Sequence, residues 1–445
     1  MRGRKAGSNG GDQMKGYTKE DIFRIVEEKD VRFIKLQFTD MYGMPKNVNL
    51  PVGQLRRALS GRCVFDGASI EGFIRKDEED MLLQPDLNTF QIFPVRGRDG
   101  QTARLICDIN DAEGRPFGGD PRYILKRVTA EAERQGYFFK IKPELEFFLF
   151  NCDESGNPTT KSSEAASYFD MMPLDFGESL RNEMAVTLEE MGYPIASTHH
   201  ENSDGQHEID FEAQPGLFCA DAIETAKILI RIIARRAGMH ATFMPKPTAG
   251  ISGSGMHISI SLENKEGKNL FYDSKEMYGL SDLAYAFMSG VIRHIAGMTL
   301  ILNPLVNSYK RFVPGYDAPV DISWSAGTNR GSLLRIPSRH CEQGKIELRS
   351  PDPSCNPYLA FALVFAAGLE GLAEGENKLR NEGLSLGSLP ANLGQAIEAY
   401  RRDSFIRDVL GDTIYDKLME AKTEEWNQYQ TQVTPWEVQT YLYKY

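Results

Sequence analysis

One segment limits the fold of this 445-residue chain more than any other: KPELEFFLF at residues 142–150, where aromatic and aliphatic side chains surround two glutamates. Successive side chains of an extended strand alternate between the two faces of a sheet, so Glu144 and Glu146 would project from the same face. Such a pair usually faces water, because carboxylates are rarely buried without a partner. The segment therefore predicts a strand with either a solvated acidic face or a buried acidic site that needs positive charge.

Composition favours a soluble protein that acts on small molecules. The 41% hydrophobic and 25% charged residues are ordinary for a globular protein, and the length predicts two or three domains. A net charge of −11 argues against nucleic acid or an anionic membrane as the main partner. No uninterrupted apolar run approaches the roughly 18 to 20 residues of a membrane helix. The six scattered cysteines include no C-x-x-C pair, which predicts free thiols and a cytoplasmic location.

The secondary-structure patterns divide the chain into three parts and predict an α+β fold class. Residues 1–16 are basic and glycine-rich, and we expect a disordered leader or a tag there. Residues 17–110 predict a small β-rich domain with one helix, which begins at Thr18 through a capping box. Residues 111–445 mix strands and helices without an internal repeat, which predicts one large α+β domain.

Three further segments carry acidic side chains or histidines in strand-like patterns. HHENSDGQHEID at 199–210 contains three histidines with Glu201, Glu208 and Asp210; GSGMHISISL contains His257; and GKIELRSPDP contains Glu347. If these strands converge with residues 142–150, the site is dominated by carboxylate oxygen, which suits Mg²⁺ or Mn²⁺ better than zinc. A zinc site at the histidines remains an alternative, although no H-E-x-x-H or cysteine–histidine spacing supports it. His257 alone would also fit an ordinary core or surface histidine.

Positive charge follows between residues 309 and 349, and the candidates are Lys310, Arg311, Arg330, Arg335 and Arg349. Guanidinium groups bind carboxylates and phosphates through two parallel hydrogen bonds, so arginines facing the acidic site would suit an acid substrate and a transferred phosphoryl group. Scattered surface arginines would explain the same residues equally well. The chain contains no P-loop pattern, so a nucleotide would be held in another way.

With these motifs in order along the chain, the sequence strongly resembles the type I glutamine synthetase family. The resemblance runs from about residue 17 to Tyr445 through the blocks FTDMYG, FDGASIEGF, PELEFFLF, HHENSDGQHEIDF, MPKP, GSGMH, NSYKRFVPGYDAP, NRGSLLRIP and IELRSPDPSCNPYLAF. It implies a β-grasp-like N-terminal domain and a large catalytic domain with a curved antiparallel sheet and surrounding helices. It also implies that ATP phosphorylates the γ-carboxylate of glutamate and that ammonia then displaces phosphate to form glutamine.

The resemblance further implies a role for each matching residue. One metal ion would be held by Glu146, Glu201 and Glu208, and the other by Glu144, His257 and Glu347. Phosphate or nucleotide contacts would come from Arg330, Arg349 and Lys345, and glutamate would be bound by Arg311, Arg335, Ser252 and Gly253. Asp40 of a neighbouring subunit would bind ammonium and remove its proton, in a pocket completed by Tyr168 and Glu201. Asp317 would lie in a mobile flap that excludes water from the acyl phosphate.

The same resemblance implies an assembly and a subclass. Because Asp40 would cross a subunit boundary, we expect a homo-oligomer with active sites between subunits, and the family implies a dodecamer of two stacked hexameric rings. Residues 378–392 lack the tyrosine that some members present for adenylylation. This absence indicates the unadenylylated, alpha-like subclass, in which feedback by glutamine and a regulatory protein partner is common.

Three departures from the family pattern lie around the glutamate and acceptor end of the predicted site. Asp317 replaces a glutamate, Ser252 replaces an asparagine, and SAGTNRG is one residue longer than usual before Arg330. These departures leave two alternatives open. One is a γ-glutamylamine synthetase that joins glutamate to a polyamine, ethanolamine or another amine, and the other is a weakly catalytic homologue with a nitrogen-sensing or structural role.

Overall fold

The fold is that of a computed structural model, which describes residues 16–67, 70, 80–94, 100–316, 318–327, 331–337, 344–375, 379 and 385–445. The predicted leader lies outside these residues except for Gly16, and Asp317 and Arg330 lie outside them as well. The described residues form two compact units. The first is drawn from 16–38, 46–67, 80–94 and 100–116, and the second from 39–45, Ile70 and the residues from Phe117 onward.

The first unit is built on one mixed sheet. Its elements, with the strand ends that extend into 39–45, are α1 (Lys19–Glu28), β1 (Val31–Thr39), β2 (Pro45–Pro51), α2 (Leu55–Ala58), β3 (Cys63–Phe65), β4 (Met81–Pro85), β5 (Gln91–Ile92) and β6 (Gln101–Asn110). The strand order is β2-β1-β6-β4-β3, β5 also pairs with β6, and β1 runs parallel to β6. The predicted capping box at Thr18 is confirmed, because Thr18 Oγ1 accepts the Asp21 N–H at 3.1 Å and the Asp21 carboxylate accepts the Thr18 N–H.

The second unit contains a larger sheet with β7 near its centre. Its strands are β7 (Phe138–Asn151), β8 (Ile195–His200), β9 (Gln206–Phe211), β10 (Gln214–Pro215), β11 (Met239–Thr242), β12 (Met256–Glu263), β13 (Trp324–Ala326), β14 (Leu334–Ile336) and β15 (Ile346–Leu348). The order is β13-β14-β15-β12-β7-β9-β8, with β10 and β11 also paired to β7. The predicted antiparallel sheet is present, but β13 and β14 pair in parallel. Strands of three residues are too short for alternation in the sequence to reveal their direction.

The second unit also contains helices, most of which pack on this sheet or on one another. They are α3 (Pro121–Arg134), α4 (Glu178–Glu190), α5 (Gly216–Arg236), α6 (Asp282–Leu302), α7 (Pro357–Glu374), α8 (Leu393–Arg402), α9 (Ser404–Leu410), α10 (Asp412–Gln430) and α11 (Pro435–Tyr441). Phe139 of β7 stacks on Phe365 of α7 with 4.1 Å between ring centroids, and Cys219 of α5 contacts the backbone of Ile141. Phe139 and Ile141 are odd-numbered, so the even-numbered side chains of β7, which include both glutamates, project from the opposite face.

Among the described residues, two helices are long and apolar enough to cross a membrane by length and composition, namely α6 and α7. The qualifying stretches are 78% and 72% buried inside the structure. The two helices also pack closely, since a Cβ atom on Gly290 would lie 2.0 Å from the carbonyl oxygen of Ala367. Neither helix is an uninterrupted apolar run, because α6 contains Arg293 and α7 contains Glu370, and buried core helices of a large domain are commonly this apolar.

Candidate active site

Register across three strands brings the predicted ligands together. On one side of β7, Glu144 pairs directly with His257 of β12, and on the other side Glu146 pairs directly with Glu208 of β9. Directly opposed residues in an antiparallel pair have Cβ atoms about 4.5–5.5 Å apart. The prediction that the acidic strand faces converge is confirmed by this register. We call the resulting set the front cluster, and it comprises Glu144, Glu146, His199, Glu201, Glu208, His257 and Glu347.

The first group within the front cluster matches the predicted set Glu144, His257 and Glu347. The Nδ1 atom of His257 lies 3.5 Å from Glu144 Oε2 and 3.8 Å from Glu347 Oε1. One candidate ligand atom from each of the three residues lies within 4.8 Å of the others. Two carboxylates and one imidazole can therefore face a single divalent ion without rearrangement of the backbone.

The second group differs from the predicted set in one member. His199 Nε2 lies 3.0 Å from Glu201 Oε1 and 3.5 Å from Glu208 Oε2, so the imidazole stands between the two carboxylates. Glu146 instead uses Oε2 to accept hydrogen bonds from Gln206 Nε2 at 2.8 Å and from the Gly255 N–H at 2.9 Å. The structure thus groups His199 with Glu201 and Glu208, and it places Glu146 beside them in the same cavity.

A cavity of about 330 Å³ contains both groups and the predicted substrate side chains. Its lining includes Tyr168, Ser252, Gly253, Arg311, Arg335 and Arg349. Glu347 links the acidic and basic sides, because its two oxygens accept hydrogen bonds from Arg335 Nη1 at 2.9 Å and Arg349 Nη1 at 2.6 Å. Gly253 has no room for a side chain, since a Cβ atom there would lie 2.3 Å from the Pro245 carbonyl oxygen.

Two predicted site residues are not among the described residues that line this cavity, namely Asp40 and Lys345. Asp40 is 2% exposed, and its Oδ1 atom accepts the backbone N–H groups of Tyr42 at 3.0 Å and Met44 at 2.9 Å. Lys345 is half-buried, and its charge opposes the burial that raises the pKa of Glu144. Asp317 and Arg330 lie outside the described residues.

The electrostatics of the front cluster fit a divalent cation. Burial, reinforced by the charge of Glu201, raises the pKa of Glu146 to about 8. Burial also raises the pKa of Glu208 well above the usual carboxyl range, with further contributions from Asp210 and Glu146. Burial lowers the pKa of His257 to about 3, so its imidazole is neutral and able to act as a ligand. Carboxylate oxygens that repel one another around a neutral imidazole favour hard ions such as Mg²⁺ or Mn²⁺.

Alternation along β8 and β9 divides the histidines of HHENSDGQHEID between two faces of the sheet. His199 faces the cavity, whereas His200 and His207 lie on the opposite face with fully buried side chains. There they meet residues that the sequence interpretation missed, namely Glu164, Asp175 and Arg181, and we call these five residues the back cluster. Four of its members, Glu164, Asp175, His200 and His207, place possible ligand atoms within 4.8 Å of one another. The zinc alternative therefore corresponds to this cluster.

Other contributors were also missed, although a signal for some of them was present. Gln206 and Gly255 hold Glu146 by hydrogen bonds, whereas Asp210, which the sequence analysis named without a role, lines the cavity. Strand alternation through QHEID predicts that Gln206, Glu208 and Asp210 share a face. Gly255 lies within the quoted block GSGMH, but its contact with Glu146 depends on the close approach of the loop before β12, which no local pattern reveals.

Comparisons with known proteins cover almost the whole chain. The family model "Glutamine synthetase, beta-Grasp domain" matches residues 30–112, and "Glutamine synthetase, catalytic domain" matches residues 118–441. A glutamine synthetase from Clostridium saccharobutylicum is 46% identical over 97% of this chain and 100% of its own length. One from Staphylococcus aureus strain Mu50 is 45% identical over 96% of this chain and 99% of its own length. The family matches confirm the predicted β-grasp and catalytic domains.

Solved structures agree with this result. A GmaS/ADP complex is 31% identical, has a TM-score of 0.86, and covers 94% of this chain and 98% of its own. The Plasmodium falciparum glutamine synthetase has a TM-score of 0.84 at 22% identity and covers 96% of this chain and 99% of its own. The second likeness supports the fold alone.

Proposed function

The chain belongs to the glutamine synthetase family, and we infer that it is a glutamate–ammonia ligase that forms glutamine with ATP as co-substrate. The observation that supports this function most strongly is identity of 45–46% with named glutamine synthetases over nearly the full chain. In the reaction, an oxygen of the glutamate γ-carboxylate takes the terminal phosphoryl group of ATP. Ammonia then attacks the carbonyl carbon of the acyl phosphate, the carbon–oxygen bond breaks, and phosphate leaves.

We propose that the front cluster holds two divalent ions, Mg²⁺ or Mn²⁺. Glu144, His257 and Glu347 would hold one ion, and Glu201 and Glu208 would hold the other with Glu146 or His199. Such ions supply charge neutralisation for the phosphates of the nucleotide. The raised carboxyl pKa values and the donor set support this assignment.

The cationic side of the cavity would bind the two anionic substrates. Arg335 and Arg349 already hold Glu347 from two directions, so the next anion to enter would meet guanidinium groups of fixed orientation. We assign glutamate to Arg311 and Arg335 with Ser252 and Gly253, and the phosphates to Arg349, Lys345 and Arg330. A bound ADP in the similar GmaS complex supports a nucleotide site in this fold.

Ammonium would bind beside Tyr168 and Glu201. Tyr168 and Glu201 both line the cavity, and the Tyr168 ring stands edge-on to His199 with centroids 5.5 Å apart. A small cation is favoured by nearby carboxylates and aromatic rings. We propose that Asp40 of a neighbouring subunit completes this pocket and accepts a proton from ammonium, and that Asp317 closes it. The arrangement would exclude water from the acyl phosphate.

Several finer proposals accompany this function. We propose a dodecamer of two hexameric rings, the type I unadenylylated subclass, regulation by glutamine and a regulatory protein, and a cytoplasmic location. The five cysteines that the structure describes are free thiols, which supports a reducing compartment. We retain domain boundaries at 17–110 and 111–445, which the family matches at 30–112 and 118–441 support.

The decisive experiment measures phosphate release by the purified protein with ATP, Mg²⁺ and glutamate. Ammonium, ethanolamine, spermidine and no amine are compared at equal concentration. We expect turnover that depends on ammonium. Preference for a larger amine would instead identify a γ-glutamylamine synthetase, and absence of turnover with every amine would contradict the ligase function.

A further inference from the structure

We propose that Glu164 is a positioning residue for the acceptor end of the active site. It ties the loop that carries Tyr168 to the back of strands β8 and β9, whose front faces carry the ligands Glu201 and Glu208. This inference rests on the proposed function, because it assigns the loop and the two ligands to ammonium and to one divalent ion.

Glu164 uses both carboxylate oxygens inside the protein, where the residue is only 6% exposed. Oε1 accepts the Gly177 N–H at 2.5 Å, and Oε2 lies 3.2 Å from His200 Nε2 and 3.4 Å from His207 Nε2. Gly177 packs against this cluster so closely that a Cβ atom would lie 2.4 Å from a His207 ring carbon. One carboxylate thus connects the far end of the loop with two neighbouring strands.

His200 connects Glu164 with residues at the front of the sheet. Its Nδ1 atom donates to the carbonyl oxygen of Glu201 at 2.6 Å, and its own carbonyl oxygen accepts the Phe169 N–H at 3.1 Å. The side chain therefore fixes the backbone of Glu201, and the main chain fixes the residue next to Tyr168. Buried hydrogen bonds of this kind orient the groups that contact a metal or a substrate.

The aromatic side chains of the loop reach the front cluster. Tyr168 and Phe169 stack with 4.0 Å between ring centroids, and Phe169 stands edge-on to His199 at 4.8 Å. His199 in turn contacts both Glu201 and Glu208. Loosening the loop should therefore disturb the ammonium pocket and the ion at Glu201 and Glu208, and leave the group formed by Glu144, His257 and Glu347 largely intact.

The back cluster already contains its own cation, which favours positioning over a third metal site. Arg181 Nη2 donates to Asp175 Oδ2 at 2.8 Å, and Arg181 Nη1 lies 2.8 Å from His207 Nδ1. A metal ion among these groups would be repelled by the guanidinium and would compete with it for two of the four possible ligands. We therefore expect the cluster to hold its geometry through hydrogen bonds alone.

The test compares Glu164→Gln with a matched variant, Asp403→Asn. Asp403 also holds a histidine, since its Oδ2 atom lies 2.8 Å from His294 Nδ1, but this pair belongs to the helical layer. Asparagine at 403 would keep the N-terminal cap of α9. We expect E164Q to raise KM for ammonium about tenfold or more, with kcat and KM for glutamate and ATP within about twofold. D403N should leave all of these constants unchanged.

The variant Arg181→Lys and a direct titration with Mn²⁺ test the same proposal independently of E164Q kinetics. Arg181→Lys retains positive charge beside Asp175 but cannot reach both partners in the same way, so it should raise KM for ammonium by a smaller factor. Direct titration with Mn²⁺ should show weakened binding at one of two sites in E164Q and unchanged binding in D403N.

Three outcomes would overturn the proposal. Equal increases in every KM, or a fall in kcat alone, would indicate a merely structural role for Glu164. About one equivalent of zinc that survives dialysis in the wild type and is lost in E164Q would identify a metal site. An unchanged KM for ammonium together with unchanged Mn²⁺ binding in E164Q would show that Glu164 positions neither the ammonium pocket nor the ion at Glu201 and Glu208. If the wild type shows no ammonium-dependent turnover, the proposed function fails, and the Mn²⁺ titration alone decides the role of Glu164.

Discussion

The front and back clusters both combine carboxylates with histidines and meet on opposite faces of β8 and β9, but burial raises the pKa of Glu146 and Glu208 in front, whereas the pKa of Glu164 behind is lowered. Glu201 of the front cluster resembles Glu164, because although burial opposes it, its hydrogen bond with His199 lowers its pKa. In the front cluster, burial raises the pKa of Glu146 to about 8. In the back cluster, burial acts in the same direction, yet the hydrogen bond with His200 and the nearby imidazole of His207 outweigh it and lower the pKa of Glu164 to about 2. The difference lies in what balances the negative charge.

Each back carboxylate has an internal partner, since Asp175 pairs with Arg181 and Glu164 faces two imidazoles. The front cluster places more carboxylates than its arginines neutralise around an open cavity, and burial dominates the pKa of Glu144, Glu146 and Glu208. Groups with strongly perturbed pKa values in a cavity are candidates for function. The comparison therefore favours the front cluster as the ligand site and the back cluster as a structural network, even though both contain three or more possible metal ligands.

The largest effect is expected from breaking the back cluster. Arg181→Met would leave Asp175, which is fully buried, without its cation. Removing one partner of a buried ion pair typically costs about 3–5 kcal/mol, so the free energy of unfolding should fall by that amount. Urea denaturation in EDTA at one protein concentration measures it. A loss below about 1 kcal/mol would show that the guanidinium does not balance this cluster.

Substitution of a front-cluster carboxylate should have the opposite effect. Activity should be lost, and the free energy of unfolding should be preserved. In Glu208→Gln, the amide imitates the protonated acid that burial favours, so the metal-free protein should unfold at the same or a higher denaturant concentration. Ammonium-dependent phosphate release should fall at least about 100-fold, because even residues that merely support metal ligands typically contribute 10–100-fold. Destabilisation together with normal turnover would place Glu208 in a structural role.

An intermediate effect is expected from pH. A raised carboxyl pKa means that the folded state binds the proton more tightly, so the stability that Glu146 contributes is lost as pH rises from about 4.5 towards about 8. The lowered pKa of Glu164 has the opposite sign, and its contribution is lost only as pH falls from about 4.5 towards about 2. Metal-free melting temperatures should therefore decline from about pH 6 to pH 8, and His200 and His294, whose pKa values hydrogen bonds also raise although burial opposes them, add to this decline.

Metal ions provide the control for this pH dependence. Mg²⁺ or Mn²⁺ should raise the melting temperature more at pH 8 than at pH 6, because binding requires the deprotonated carboxylates. The Glu208→Gln variant should show a smaller increase. A melting temperature that is independent of both pH and metal would contradict the assignment of the front cluster as a cation site.

The smallest effect is expected at His294, which lies between Asp403 and Glu370 in the helical layer. Although burial opposes it, hydrogen bonds with these carboxylates raise the pKa of His294. Asp403→Asn should therefore cost about 1 kcal/mol, as for a single hydrogen bond, and mainly at low pH where the imidazolium is present. Denaturation at pH 5.5 and 8 checks this, and a change in ammonium KM would show that the helical layer also reaches the site.

Much of the front cluster was predictable before any coordinates, whereas the back cluster was not. The period of two in an extended strand placed Glu144 and Glu146 on one face, and the order of the motif blocks predicted the fold family. Those predictions succeed because alternation is local and because the blocks are collinear. The proposal of an Mg²⁺ or Mn²⁺ site rests on carboxylate chemistry.

Only the tertiary structure decided which groups share a partner. Glu146 is held by Gly255 and Gln206, His199 joins Glu201 and Glu208, and Glu164 reaches His200 from a loop 36 residues earlier in the chain. Strand register and loop closure are set by packing between distant segments, and no periodicity within one segment contains that information. For the same reason the sequence string HHE shows three adjacent polar residues, whereas the pleat of β8 sends the first histidine to the cavity and the second to the opposite side of the sheet.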